Sequence, residues 1–166
     1  TGLLKNKSKL TKQEKEYNEL VRELVISADS FVINRPLFGT HSILAGYPWF
    51  LDWGRDTLIA FEGLLLITKR FDLAKEILLT FTRDIKFGLV PNGYSGFDNR
   101  PLYNSVDASL LLFEQVKKYI AYTGDTKFLT AELYEKLANE IEVYDCEGSQ
   151  EALKQLKFQT QYFKNK

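Results

Sequence analysis

The chain has 166 residues, with 22 lysines and arginines balanced by 22 aspartates and glutamates, one histidine and one cysteine. A formal charge of zero is untypical of proteins that bind nucleic acid or anionic membranes, because both partners demand a basic surplus. The lone cysteine, Cys146, allows no intrachain disulfide and is typical of a reducing compartment, which predicts a cytoplasmic protein. Apolar runs such as Leu64 to Ile67 are far shorter than the ~20 residues of a membrane-spanning helix.

The first predicted element is an amphipathic helix. Apolar residues recur at spacings of three and four from Tyr17 to Val32, and Thr11 with Glu14 forms a capping-box signature at its start. The helix is expected to stop before Pro36, because a residue that precedes proline avoids helical geometry. Residues 36–54, rich in glycine, proline and aromatic side chains, are expected to be irregular.

The remaining elements alternate in the same way. Gly88 is expected to end the third helix and Gly124 the fourth, with an irregular segment at 89–105 between them. No segment shows the alternating pattern of a strand, so the sequence predicts an all-α fold of five or six helices in antiparallel pairs, without a sheet. After the first helix, the predicted helices cover residues 56–68, 71–85, 106–123 and 129–141, with a short one at 149–163.

The segment 45–56 is the most distinctive in composition. It places two tryptophans, a tyrosine and a phenylalanine around two carboxylates and an arginine, directly before a helix. Aromatic rings stack on the apolar faces of sugars, and charged groups bind sugar hydroxyls strongly. The composition therefore suits a carbohydrate subsite. Composition alone favours a plainer interpretation, in which Asp56 caps the helix and the aromatic side chains belong to the core.

A second loop, 90–108, again places aromatic and polar side chains before a helix. It puts Asn104 and Asp107 at the N-terminal end of the fourth helix. Taken alone, this loop is best explained by Ser105 as the N-cap and by Asp107 complementing the helix dipole. One histidine, His41, and one cysteine make no zinc-type ligand set, and no nucleotide-binding motif is present, so neither a metal nor an organic cofactor is expected.

These two loops resemble the glycogen debranching enzyme family, in its carboxy-terminal amylo-α-1,6-glucosidase domain. The resemblance covers residues 14–141. The matching strings are GYPWFLDWGRDT at 46–57, GLLL at 63–66, RFDLA at 70–74, GLVPN at 88–92 and YNSVDA at 103–108.

The resemblance implies a glycoside hydrolase with an (α/α)6 toroid, in which paired helices surround a central pocket. It also implies inverting hydrolysis of α-1,6-linked glucose at branch points, with an α-glucan such as glycogen or limit dextrin as the partner. The substrate-binding residues that the resemblance carries over are Trp49, Asp52, Trp53, Arg55, Asp56, Tyr103, Asn104 and Asp107.

No catalytic residue is assigned, because the family's general acid lies in a Thr-Trp-Met-Asp-like motif that has no match here. The sequence has no methionine and only two tryptophans. Twelve helices of ~12 residues with connections of ~5 need at least ~200 residues. We therefore expect residues 12–141 to form the N-terminal half of the toroid, followed by a polar tail at 142–166. This chain alone is expected to be inactive, and to be completed by the missing half or by self-association.

Two other classes of function are compatible with the sequence. One is a non-catalytic carbohydrate-binding half-domain that a partner completes. The other is a helical interaction module whose aromatic loops are only core. Exposure of Trp53 and Asp56 distinguishes a sugar site from a core.

Overall fold

The computed structural model describes residues 11–36, 39–46, 50–86, 88–95, 98, 100–129, 133 and 135–137. The predicted tail at 142–166 and the short helix at 149–163 lie outside these residues. The helices are α1 Lys12–Asp29, α2 Gly54–Phe61, α3 Phe71–Arg83 and α4 Asp107–Thr123. The strands are β1 Val32–Arg35, β2 Thr40–Ile43, β3 Gly93–Tyr94 and β4 Pro101–Leu102. The prediction of a mainly helical fold, part of a toroid of paired helices, is confirmed.

The expected absence of any sheet is wrong in detail. Two antiparallel hairpins are present among the described residues: β1 pairs with β2, with Val32 opposite Ile43, and β3 pairs with β4. Strand β1 replaces the predicted end of the first helix, and the other three strands lie in the segments that were expected to be irregular. Gly39, with a φ of +62°, lies in the turn between β1 and β2, a conformation that glycine adopts without strain. Strands this short do not develop an alternating pattern that a sequence search can detect. Each hairpin has only two strands and lies in the segment that connects two helices, so neither forms a core sheet.

Helix α1 begins as predicted. The side chain of Thr11 accepts a hydrogen bond from the Glu14 N–H at 3.2 Å, and the Glu14 carboxylate accepts one from the Thr11 N–H at 2.7 Å. The helix ends at Asp29, earlier than predicted, because the chain turns into β1. None of its residues is buried, and four large side chains of its apolar positions are more than half exposed: Tyr17, Leu20, Leu24 and Ile26.

The core lies between α2, α3 and α4. Their apolar stripes are buried as predicted, and the largest fully buried side chains include Phe61, Leu65, Leu78 and Leu112. Helix α2 continues as a π-helical turn, Glu62–Leu66. The carboxylate of Glu62 accepts hydrogen bonds from Lys118 Nζ at 2.7 Å and from the Tyr122 hydroxyl at 3.0 Å, which fastens this turn to α4.

The ends of α3 and α4 match the predictions only in part. Helix α4 stops at Gly124, whose φ of +69° is left-handed, and Asp125 then caps a short 3-10 turn by accepting the Phe128 N–H. Helix α3 ends at Arg83 rather than at residue 85, and Gly88 lies in a later turn instead of capping it. The fifth helix was predicted at 129–141. Residues 133 and 135–137 are helical, residue 129 is not, and the others lie outside the described residues.

Two predicted helix caps are wrong. Helix α4 begins after Val106 without a side-chain cap, because the Ser105 hydroxyl donates to the Asp107 carboxylate instead. Helix α2 begins after Trp53, also without a side-chain cap, and Asp56 is its third residue. Both N-terminal ends thus leave their side chains available for other contacts.

Gly54 is where α2 approaches the loop before β3 most closely. A Cβ at this position would lie 2.6 Å from the Pro91 carbonyl oxygen, so Gly54→Ala must move backbone. We expect it to lower the free energy of unfolding by about 1–3 kcal/mol in a urea titration. Gly63→Ala is the matched control, because a Cβ there meets nothing within 4 Å. We expect no loss of stability at Gly63, and equal losses at the two positions would contradict the prediction.

Candidate functional site

The two segments that carry the matching strings, 45–56 and 90–108, are called the motif loops, and they meet where α2 and α4 begin. Arg55, on the first turn of α2, forms a two-pronged ion pair with Asp107, the first residue of α4: Nη2 donates to Oδ1 at 3.1 Å, and Nε donates to Oδ2. The two residues are 52 positions apart in the sequence. Their side chains are 52% and 45% exposed, so a solute can reach the pair from the surface.

Both members of this pair carry their charge at neutral pH. The hydrogen bond from Arg55, followed by that from Ser105, lowers the pKa of Asp107 below its ordinary value. The same hydrogen bond from Asp107 raises the pKa of Arg55. An ionised carboxylate only accepts hydrogen bonds and a guanidinium only donates them. The pair therefore offers both polarities to a ligand.

Asn92 lies in the second motif loop and forms hydrogen bonds with residues of both loops. Its Oδ1 accepts the Arg55 N–H at 3.2 Å, and its Nδ2 donates to Asn104 Oδ1 at 3.1 Å. Its backbone oxygen accepts the Gly54 N–H at 2.6 Å. Sequence reasoning quoted Asn92 only as part of the GLVPN string and missed its place in the site. The one available signal was an asparagine directly after a proline in that string, which is not specific.

Trp53 and Asp56 flank the pair. Trp53 is partly buried, and its ring lies against Gly93, where a Cβ would be 3.1 Å from the ring. Asp56 is exposed, and its charge adds to the rise in the pKa of Arg55. The structure thus brings Arg55 and Asp107 into contact, with Asn104 joined through Asn92. Asp56 is not buried in a core.

Two of the other predicted binding residues, Asp52 and Tyr103, have partners inside the protein. Asp52 is 4% exposed and forms an ion pair with Arg35, whose guanidinium lies 5.5 Å from the centre of the Tyr94 ring. The Tyr103 hydroxyl donates to the Asp84 carbonyl at 2.7 Å. Trp49 lies outside the described residues. A sugar-binding role for these three residues stays a prediction.

A cleft of about 440 Å³ lies elsewhere, beside α3, and none of the predicted binding residues that the structure describes lines it. At its edge the His41 N–H donates to Glu76 Oε1 at 2.6 Å, and His41 Nδ1 lies 3.0 Å from the same oxygen. Within the described part of the chain, no group of three or more histidine, cysteine, aspartate or glutamate side chains could hold a metal ion. No helix among the described residues is both long and apolar enough to cross a membrane.

Fold and site together define a mainly helical protein with a charged, accessible site between two helix N-termini. The model of the amylo-alpha-1,6-glucosidase family matches residues 26–162, which include both motif loops. The chain therefore belongs to this family, as the resemblance in its sequence indicates.

One curated relative is the glycogen debranching enzyme of Saccharomyces cerevisiae, which is 39% identical to this chain over 89 residues. The match covers 51% of this chain and 6% of the yeast protein, so the chain spans a small part of that relative's length. No solved structure matches the chain.

Proposed function

We propose that this chain supplies a glucose-binding part of an amylo-α-1,6-glucosidase, which hydrolyses α-1,6-linked glucose at branch points of glycogen or maltodextrin. Family membership and the debranching relative support the substrate class. The observation that carries the proposal is the exposed ion pair of Arg55 and Asp107, formed between the two motif loops.

The geometry of the pair suits vicinal sugar hydroxyls. Asp107 uses part of its acceptor capacity on Arg55 and Ser105, while the guanidinium of Arg55 has five N–H donors and gives two to Asp107. One hydroxyl can donate to the carboxylate while its neighbour accepts from the guanidinium. The amide of Asn104 and the carboxylate of Asp56 extend this polar surface, and the Trp53 ring lies beside it for stacking.

We assign these residues to binding and not to proton transfer. Inverting hydrolysis requires a protonated carboxyl and a carboxylate ~6.5–9.5 Å apart. The lowered pKa of Asp107 keeps it ionised at neutral pH, so it does not serve as the acid. The general acid and base of the reaction belong to motifs of the family that are absent from these 166 residues.

Binding and hydrolysis are tested separately. Isomaltose, the α-1,6-linked disaccharide of glucose, is titrated into the pure chain and followed by saturation-transfer NMR, and glucose release from a limit dextrin is measured in parallel. We expect binding of isomaltose without release of glucose. Absence of binding at millimolar isomaltose would contradict the glucose-binding role, while glucose release lost in Asp107→Asn would show that a binding carboxylate has been given the wrong role.

The apolar face of α1, defined as Tyr17, Leu20 and Leu24, supports the proposal that further helices of the toroid complete this chain. Without them, we expect the chain to self-associate through this face. Leu20→Glu with Leu24→Glu should shift the chain towards monomer in sedimentation velocity. Lys15→Glu changes the net charge by the same amount outside this face and should leave the association unchanged. If both variants behave alike, α1 is not the associating surface.

A further inference from the structure

We propose that Asn92 is a positioning residue, whose side chain sets the relative placement of the two motif loops and so holds the Arg55–Asp107 pair in its binding geometry. The proposal deepens the function proposed above and rests on it for the ligand. Asn92 itself is buried, only 8% exposed, and is argued to act through Arg55 and Asn104 rather than by touching the sugar.

The two ends of the Asn92 amide contact the two motif loops. Oδ1 takes the backbone N–H of Arg55 in the first turn of α2, and Nδ2 reaches the side chain of Asn104, three residues before Asp107. A helix leaves its first N–H groups without partners inside the helix, so an outside acceptor at the start of α2 fixes where that helix begins. One buried side chain thus fixes the backbone of Arg55 in one loop and the side chain of Asn104, close to Asp107, in the other.

The loop around Asn92 has its own supports. The Asn92 N–H donates to the Leu102 carbonyl at 2.8 Å, the Ser95 N–H donates to the Arg100 carbonyl at 2.9 Å, and the Val90 N–H donates to the Ser109 hydroxyl at 3.0 Å. These contacts hold β3, β4 and α4 together without the Asn92 side chain. The amide is therefore engaged with the site and is not needed to fold its own loop.

The test compares Asn92→Ala with Ser109→Ala. Ser109 is fully buried, and Ser109→Ala removes a hydrogen bond from the same loop. The bond that is lost runs to the Val90 N–H and not to Arg55 or Asn104, so this variant matches the loss of stability without the loss of position. Two properties are measured in the full chain: the pKa of the Asp107 carboxyl, by a ¹³C NMR titration, and the affinity for isomaltose. Thermal unfolding midpoints show that each variant is folded.

For Asn92→Ala we expect the pKa of Asp107 to rise towards its ordinary value. We also expect the isomaltose affinity to fall about tenfold, because the variant loses the two hydrogen bonds of the Asn92 amide that hold the pair in place. Ser109→Ala should lower the unfolding midpoint and leave both properties unchanged. If Asn92→Ala does not fold, Asn104→Ala takes its place, because Asn104 is exposed, and a smaller rise in the same pKa is expected.

Either of two titration results would overturn the proposal: an unchanged Asp107 titration in the folded Asn92→Ala variant, or an equal shift in Ser109→Ala. The titration needs no ligand, so it decides the role of Asn92 even if the wild-type chain fails to bind isomaltose. That failure would count against the proposed function alone. A shifted titration with unchanged isomaltose affinity would also overturn the proposal, since the pair's geometry would then not matter for the sugar.

Discussion

Asp107→Ala is expected to weaken isomaltose binding by about tenfold to a hundredfold at pH 7. A hydrogen bond between a charged group and a sugar hydroxyl contributes about 1.5–3 kcal/mol, and each 1.4 kcal/mol is tenfold in affinity. The variant also removes the partner that orients the Arg55 guanidinium. Isothermal titration calorimetry on the wild-type chain and the variant measures the effect.

Asp98→Ala is the matched control for this prediction. Asp98 is also paired with an arginine, Arg100, is 43% exposed against 45% for Asp107, and likewise has a lowered pKa. Asp98 lies in the second motif loop, but its ion pair is with Arg100 and not with Arg55, so its loss should leave isomaltose affinity unchanged. If the two variants weaken binding equally, the effect is one of net charge and the assigned site is wrong.

The pH dependence of binding follows from the same pair. The pKa of Asp107 is lowered from 3.8, so its carboxylate persists as the pH falls through 3.8 and is lost only below that value. Isomaltose affinity carried by this carboxylate should therefore be constant from neutral pH down to about 4 and fall at lower pH. In Arg55→Ala the fall should begin at higher pH, because the hydrogen bonds that favour ionisation are gone.

Asp52→Ala is expected to lower the free energy of unfolding by about 3–5 kcal/mol, because removing one partner of a buried ion pair leaves the other charge desolvated without its counter-ion. The side chains of Asp52 and Arg35 are only 5% and 15% exposed. Chemical denaturation measures the loss. Glu16→Ala breaks a pair in which Glu16 is 67% exposed, and it should change stability by less than about 1 kcal/mol. A loss below about 1 kcal/mol for Asp52→Ala would show that this pair does not stabilise the fold.

The parts of the fold that the sequence predicts well are those determined by local physics. The capping box of Thr11 and Glu14 and the left-handed stop at Gly124 involve residues a few positions apart, so their patterns are visible in the sequence. The buried stripes of α2, α3 and α4 follow from helical periodicity. Periodicity shows which face is apolar but not what covers it, so the sequence predicts the apolar stripe of α1 but not that this stripe is exposed.

The site shows the same limit. The motif strings identify Asp52 and Arg55 together, yet Asp52 turns inward to Arg35 while Arg55 turns outward to Asp107. A string gives the identity of residues and not their orientation, which depends on contacts between distant parts of the chain. Asn92 was missed for the same reason, because its importance lies in joining segments 12 and 37 positions away.

The exposure of α1 makes this helix the first part of the described chain to open. A helix with no buried residue adds little to the cooperative core, so its release costs far less free energy than global unfolding. In the monomer, backbone amides of α1 should exchange with deuterium well before those of α4, whose inward face is fully enclosed. The amides of α1 and α4 should therefore show two levels of protection against exchange. Any surface that covers α1 should raise the protection of its amides towards that of α4.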